Sequence, residues 1–267
     1  MSKPESTDRP APPQEAKQPG QPGLPEVDVN EYGGKKDGVK QSMNRRLFMQ
    51  LLVFDVRPGD RPEEIAKRTA DQLRERKIAG VVYADAMNPR GLGLLTWSED
   101  PAHFVRAVRP MFASEPLAPL ANVELRPSYG MIGRTYSTGH EPDLEFVLLR
   151  RAIGNVLEPA YDWHVWYPLR RTGEFARVEP LEQSHILREH AALGMAYGQS
   201  ELAHDIRLAC HGLDAGDNEF VIGLVGRELH PLSHLVQAMR KTRQTSMYIE
   251  KMGPFFVGHA TYRVSSD

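Results

Sequence analysis

The sequence has a single cysteine, Cys210, so no disulfide can form within the chain and a thiolate zinc or iron–sulfur centre has no ligand set. A reducing, cytoplasmic setting is the expectation. An excess of one charge sign is also missing: 33 Lys+Arg meet 35 Asp+Glu among 267 residues, for a formal net charge of -2. Without a global basic field, neither nucleic acid nor an anionic membrane is an expected partner. Long apolar runs are absent too. None approaches the ~18–20 residues needed to cross a bilayer, and the first residues lack the apolar core of a secretion signal.

What is there divides unevenly. The first forty residues hold Pro4, Pro10, Pro12, Pro13, Pro19, Pro22 and Pro25 with one aromatic, Tyr32, and no apolar period. Such a stretch cannot bury enough surface to offset the entropy of ordering it, so residues 1–42 are expected to form a disordered tail. The remainder reads as two similar halves, 43–143 and 144–267.

In the first half, Leu47–Val56 is a nearly continuous apolar run suited to a buried strand. Pro62 opens a helix to Arg76, with Ile65 and Leu73 inward. Val81–Ala84 and Leu92–Trp97 read as strands. Ser98-Glu-Asp-Pro101 caps a helix to Phe112, and Ser128–Tyr136 is the closing strand. The second half repeats the order. Trp163–Leu169 is a strand, Leu181–Leu193 a helix, Ile206–Gly212 and Glu219–Val225 two strands, and Phe255–Tyr262 the last strand. Before it, Pro231 starts a helix with Leu232, Leu235, Val236 and Met239 at i, i+3, i+4 and i+7. Leu144–Val156 makes a connecting helix. The fold class is therefore α+β, with two ferredoxin-like β-α-β-β-α-β units joined into a dimeric α+β barrel within one chain.

Four histidines, His185, His190, His204 and His211, gather in the second half. His185 and His190 are five apart, about 140° around a helix, and no His-x-x-x-His face with a third partner appears, so a mononuclear zinc site is disfavoured. His190 follows Ile186 and Leu187 by four and three residues and is read as inward-facing. Periodicity leaves two uses for it: a hydrogen-bonded core histidine, or the proximal ligand of a haem iron.

Five segments in order carry a resemblance: Trp166-Tyr-Pro-Leu-Arg-Arg171; Arg188-Glu-His-Ala-Ala-Leu-Gly194; Gly212-Leu-Asp with Glu219-Phe220; Met239-Arg240; and Tyr248-Ile-Glu-Lys-Met-Gly-Pro-Phe-Phe-Val-Gly258. Together they resemble the chlorite dismutase family, most closely its coproheme decarboxylase branch. The resemblance implies two ferredoxin-like domains per subunit, usually in a homopentamer, with haem b or iron-coproporphyrin III bound by the second. Porphyrin and hydrogen peroxide would be its small-molecule partners. His190 matches the haem-iron ligand. Tyr167 matches the tyrosine that becomes a radical in propionate decarboxylation. Arg170 or Arg171 would steer a propionate, while Arg240 would bind one with help from Thr245 or Ser246. The family's distal arginine falls on Asp205, flanked by His204, so either is a candidate acid–base group, and Arg207 lies two further on. Phe175 stands where a tryptophan often follows, and Val225 falls near the carboxylate that backs the proximal histidine in dismutases. The activity implied is oxidative decarboxylation; a chlorite-degrading or peroxidase-type enzyme and a non-catalytic haem-binding protein are the alternatives.

Overall fold

The computed structural model describes residues 24–113, 118 and 120–266. A hairpin comes first, β1 (Glu31–Lys36) against β2 (Val39–Met43). The first half follows as β3 (Phe48–Val56), α1 (Pro62–Glu75), β4 (Gly80–Asp85), β5 (Gly91–Ser98), β6 (Val123–Leu125) and β7 (Met131–Thr135). A connecting helix α2 (Arg151–Leu157), entered through a π-turn at Phe146–Arg150, leads to the second half. There the order is β8 (Trp163–Arg171), α3 (Pro180–Gln199), β9 (His204–Ala209), β10 (Phe220–Gly226), α4 (Leu229–Met239), α5 (Arg243–Tyr248), β11 (Ile249–Met252) and β12 (Phe256–Val264).

Within each half the strands pair in the order expected of a ferredoxin-like unit, β7-β3-β5-β4 and β9-β10-β8-β12. Two antiparallel seams join them, β4 to β12 and β7 to β9, so the eight strands close into a barrel. Closure leaves these strands buried on both faces, which is why they read as apolar runs. Alternate residues divide between the barrel interior and an outer layer under helices. Met49, Leu51, Tyr83, Leu95, Trp166 and Phe256 fill the interior from both halves. Phe54, Val82 and Leu94 turn outward to Ile65 and Leu73 of α1. In the second half Val165, Tyr167 and Leu224 turn outward to Leu232 and Leu235 of α4.

The two outer layers differ in how tightly they are filled. α1 buries Ile65, Ala66, Thr69, Ala70 and Leu73 among 14 residues, whereas α3, with 20, buries only Ile186. Leu187, taken from the sequence as marking the inward face with Ile186, is 40% exposed. A helix so lightly seated gains little from the sheet beneath it.

Several boundaries need correction. Of the tail expected through Ser42, residues 1–23 lie outside the described residues, and residues 31–43 instead form the hairpin. Apart from Met43, packed on Leu144, Leu148 and Leu149, its hold is polar. Glu31 accepts from Arg134 at 2.9 Å and from the Ser137 amide at 3.0 Å, and Gln41 binds the Glu141 and Pro142 carbonyls at 3.1 Å. Hydropathy does not register such anchoring. The strand expected from Ser128 begins at Met131, since Pro127–Tyr129 is a 3-10 turn. The helix expected over 101–112 continues as a π-turn at Phe104–Val108 and a 3-10 turn at Arg109–Phe112. α3 runs six residues past the predicted end at Leu193.

Candidate functional site

β8, β10 and β9 present a common face to α3 and α4, with α5 packed on α3 and β11. On β8, Tyr167 points outward into the layer shared with Leu193 of α3 and Met239 of α4, its ring stacked on Phe255 at 4.6 Å. No hydrogen bond joins its hydroxyl to any described residue. Burial raises the Tyr167 phenol well above its ordinary value; the Asp205 carboxylate raises it further and the Arg240 guanidinium opposes. The group is therefore a protonated phenol across the working pH range.

His190, half-buried on α3, faces the same layer. Burial, then the positive charge of Arg207, holds its imidazole below the ordinary value, while Asp205 and Glu189 pull the other way. Neutral imidazole is the form that can donate a lone pair to a metal. Nδ1 lies 3.3 Å from the Thr242 hydroxyl, and no hydrogen bond to Nε2 occurs among the described residues. Asp205 thus acts on both Tyr167 and His190, and the three share one neighbourhood.

Arg240 caps α4, exposed, with its guanidinium 3.9 Å from the Met252 sulfur; among the described residues no carboxylate pairs with it. Its charge still reaches Tyr167. Such a guanidinium is available to a ligand carboxylate. Thr245 and Ser246 gather around Thr242: the hydroxyls of Thr242 and Thr245 are 3.3 Å apart, and Ser246 donates to the Thr242 carbonyl at 2.9 Å.

The two β8 arginines are already engaged. Arg171 pairs with Glu219 at 2.9 Å and lies between the Phe175 and Phe220 rings, 4.6 and 4.8 Å from their centres. This is the place of Phe175: it covers Arg171 and meets Tyr248 edge-on. Arg170, near the end of β8, pairs with Glu250 and, at 3.2 Å, with Asp217.

The two candidate acid–base residues part company, because consecutive residues of a strand face opposite ways. His204 stacks on Tyr161 at 4.8 Å, shares a 2.7 Å hydrogen bond with its hydroxyl and lies 3.3 Å from Glu201. It is not brought to Tyr167. Asp205 does face the layer, but Arg207 at 2.9 Å and Arg151 at 3.1 Å hold its carboxylate. Both carboxylate oxygens are thereby already engaged by guanidiniums. Val225 lies in the barrel interior, so what stands behind His190 is Thr242. A threonine between two helices reads from sequence as an N-cap, yet this one makes no side-chain cap bond, and nothing in the local pattern points to its long-range contact. Arg151, on the connecting helix, was missed for the same reason.

His230 and His234 do lie four apart on α4, with His234 hydrogen-bonded to Tyr197. Among the described residues no group of three His, Cys, Asp or Glu could hold a metal, and no helix is long and apolar enough to cross a membrane.

Residues 150–261 match the chlorite dismutase family, and the fold is shared with solved chlorite dismutase structures. A haem-binding protein from Thermus thermophilus superposes with a TM-score of 0.63 at 17% identity, covering 81% of this chain and 91% of that one. A variant of the chlorite dismutase from Candidatus Nitrospira defluvii superposes with a TM-score of 0.62 at 12% identity, covering 82% and 93%. In its fold the chain is chlorite dismutase-like. No curated protein matches it by sequence. The sequence match spans the connecting helix and most of the second half, ending within β12, and takes in His190, Tyr167 and Arg240.

Proposed function

We propose that the chain is a haem-dependent oxidoreductase that decarboxylates two propionates of iron-coproporphyrin III to give haem b, with hydrogen peroxide as oxidant. The observation that carries this reading is one layer between a lightly seated helix and the sheet, holding a neutral histidine together with a buried phenol and a guanidinium that find no hydrogen-bonding or carboxylate partner among the described residues. A porphyrin needs an axial ligand, apolar walls and cations for its acidic side chains, and His190, the layer around Tyr167 and Arg240 fit the first two needs and begin the third. When bound, the iron porphyrin supplies the redox chemistry that activates peroxide.

The protein's part is binding and hydrogen transfer. Nε2 of His190 would hold the iron. Arg240, with Thr245 or Ser246 beside it, would fix a propionate near Tyr167 by charge-assisted hydrogen bonds. Oxidised to the phenoxyl radical, Tyr167 would take a hydrogen atom from the propionate side chain. For each propionate the balance is R-CH2CH2COO⁻ + H2O2 + H⁺ → R-CH=CH2 + CO2 + 2 H2O. Arg170 and Arg171, tied to Glu250, Asp217 and Glu219, would act through a change of partner. Exposed Leu181, Leu187 and Met195 on α3 and Met247 on α5 support assembly as a homo-oligomer, a pentamer by the family resemblance, and a cytoplasmic setting remains part of the proposal.

Mixing the purified protein anaerobically with iron-coproporphyrin III and titrating peroxide, with products followed by mass spectrometry, tests the reading. Stepwise loss of two carboxyl groups, abolished in Tyr167→Phe, is expected; full turnover by that variant would overturn it. Arg207 is the observation behind the chlorite or peroxidase-type alternative, since it faces His190 as a distal cation would. Its pairing with Asp205 weighs against that role, and oxygen release from chlorite would restore it.

A further inference from the structure

We infer that Thr242 is a positioning residue: its hydroxyl accepts the Nδ1–H of His190 and so fixes the imidazole in the tautomer whose Nε2 lone pair is free for iron. The proton placement follows from distances. The Thr242 hydroxyl has one proton, and its shorter contact is the Met239 carbonyl at 2.8 Å, where it donates. The 3.3 Å contact with His190 Nδ1 must then run the other way, with nitrogen donating. The hydroxyl oxygen keeps a second lone pair, and the Thr245 hydroxyl, also at 3.3 Å, is placed to fill it.

The position of this acceptor is set by several bonds rather than by one rotamer. Thr242 is 5% exposed; its amide also binds the Met239 carbonyl, at 3.0 Å, and its own carbonyl receives the Ser246 hydroxyl and the Ser246 amide, both at 2.9 Å. The α4–α5 junction is thereby built around a threonine whose side chain turns to α3. Free imidazole in water favours neither nitrogen strongly enough to guarantee a vacant Nε2, and a hydrogen bond on the other nitrogen is the usual device for choosing. A hydroxyl that accepts this hydrogen bond carries no negative charge. It therefore orients the ring without making it an anionic, strongly donating ligand.

The inference deepens the proposed function, in that iron is what the free Nε2 would take, but the tautomer is a property of the protein alone. Long-range 1H–15N spectra of the ligand-free protein, with His190 assigned by comparison with His190→Gln, read it directly. In the unsubstituted protein the Nδ1–H tautomer is expected. Thr242→Val should shift the population toward Nε2–H, and Thr242→Ser should restore it. Haemin titration followed at the Soret band should show affinity weakened about tenfold or more in Thr242→Val and close to unsubstituted in Thr242→Ser. A dominant Nε2–H form in the unsubstituted protein, or a Thr242→Val protein with an unchanged tautomer, would overturn the inference. An Nδ1–H tautomer sensitive to Thr242 in a protein that never binds haemin would uphold Thr242's role while removing the proposed function.

Discussion

His164 should make the barrel acid-sensitive in a way one substitution can isolate. It is fully buried in the barrel interior, with Nδ1 accepting from the Tyr83 hydroxyl at 2.9 Å and Nε2 donating to the Tyr161 carbonyl at 3.0 Å. Burial, with the nearby Arg263 charge, pushes its imidazole from 6.5 down to about 3. The unfolded chain therefore takes up a proton near pH 6.5 that the folded chain refuses until near pH 3. Across that window the unfolded state holds more protons, so stability rises with pH and is lost as pH falls. One proton corresponds to about 1.4 kcal/mol per pH unit, so the stability lost between pH 6.5 and 4.5 amounts to about 3 kcal/mol from this residue alone, an upper figure. Against the ~5–15 kcal/mol of an ordinary domain, that is a large share. Urea unfolding at several pH values, for the unsubstituted chain and His164→Gln, measures it: the variant should be weaker at pH 7 but flatter by about one proton below pH 6.5. His190 and His103, also lowered by burial, act in the same direction in both proteins and cancel from the comparison. Parallel curves would refute the reasoning.

Tyr167→Phe should leave thermal stability within about 1 °C, because its ring stacking survives and its hydroxyl has no described hydrogen bond to lose; a large drop in Tm would show a hidden partner. Gly223→Ala should cost about 1–3 kcal/mol by urea unfolding, since a Cβ there would come within 2.6 Å of the Trp166 ring, which is itself fixed in the interior. Cys210, fully buried with its thiol pushed up to about 12, should resist Ellman's reagent in the native protein and react on unfolding in urea; rapid native labelling would contradict its placement.

How far the sequence could be read followed the range of the interactions involved. Strands such as β3 and β8, with apolar residues on both faces, announced themselves, and α1 did so through Pro62, Ile65 and Leu73. The repeated order of elements was enough to imply the barrel. The hairpin over residues 31–43 escaped because its hold is mainly ion pairs and amide contacts with residues about a hundred positions away. At the site, His190, Tyr167 and Arg240 came from motif resemblance, and the structure places them around one layer. His204 and Asp205 differ by one strand position, and only the register of β9 says which faces the layer. Thr242, Arg151 and the partners of Arg170 and Arg171 depend on contacts across the fold, for which no local period exists.

The β4–β12 seam sets a timetable for the newborn chain. Gly80 must find Val264, and Asp85 must find Gly258, across about two-thirds of the sequence. β12 also supplies the edge that β8 needs. During synthesis the first half can gather around α1, but its β4 edge stays open, a template for wrong pairing, until β12 has been made. Joining strands so far apart pays loop-closure entropy before any contact repays it, which makes ring closure a late and slow event. A chaperone that shields an exposed strand edge would therefore be expected to act at β4, during the interval between its emergence and that of β12.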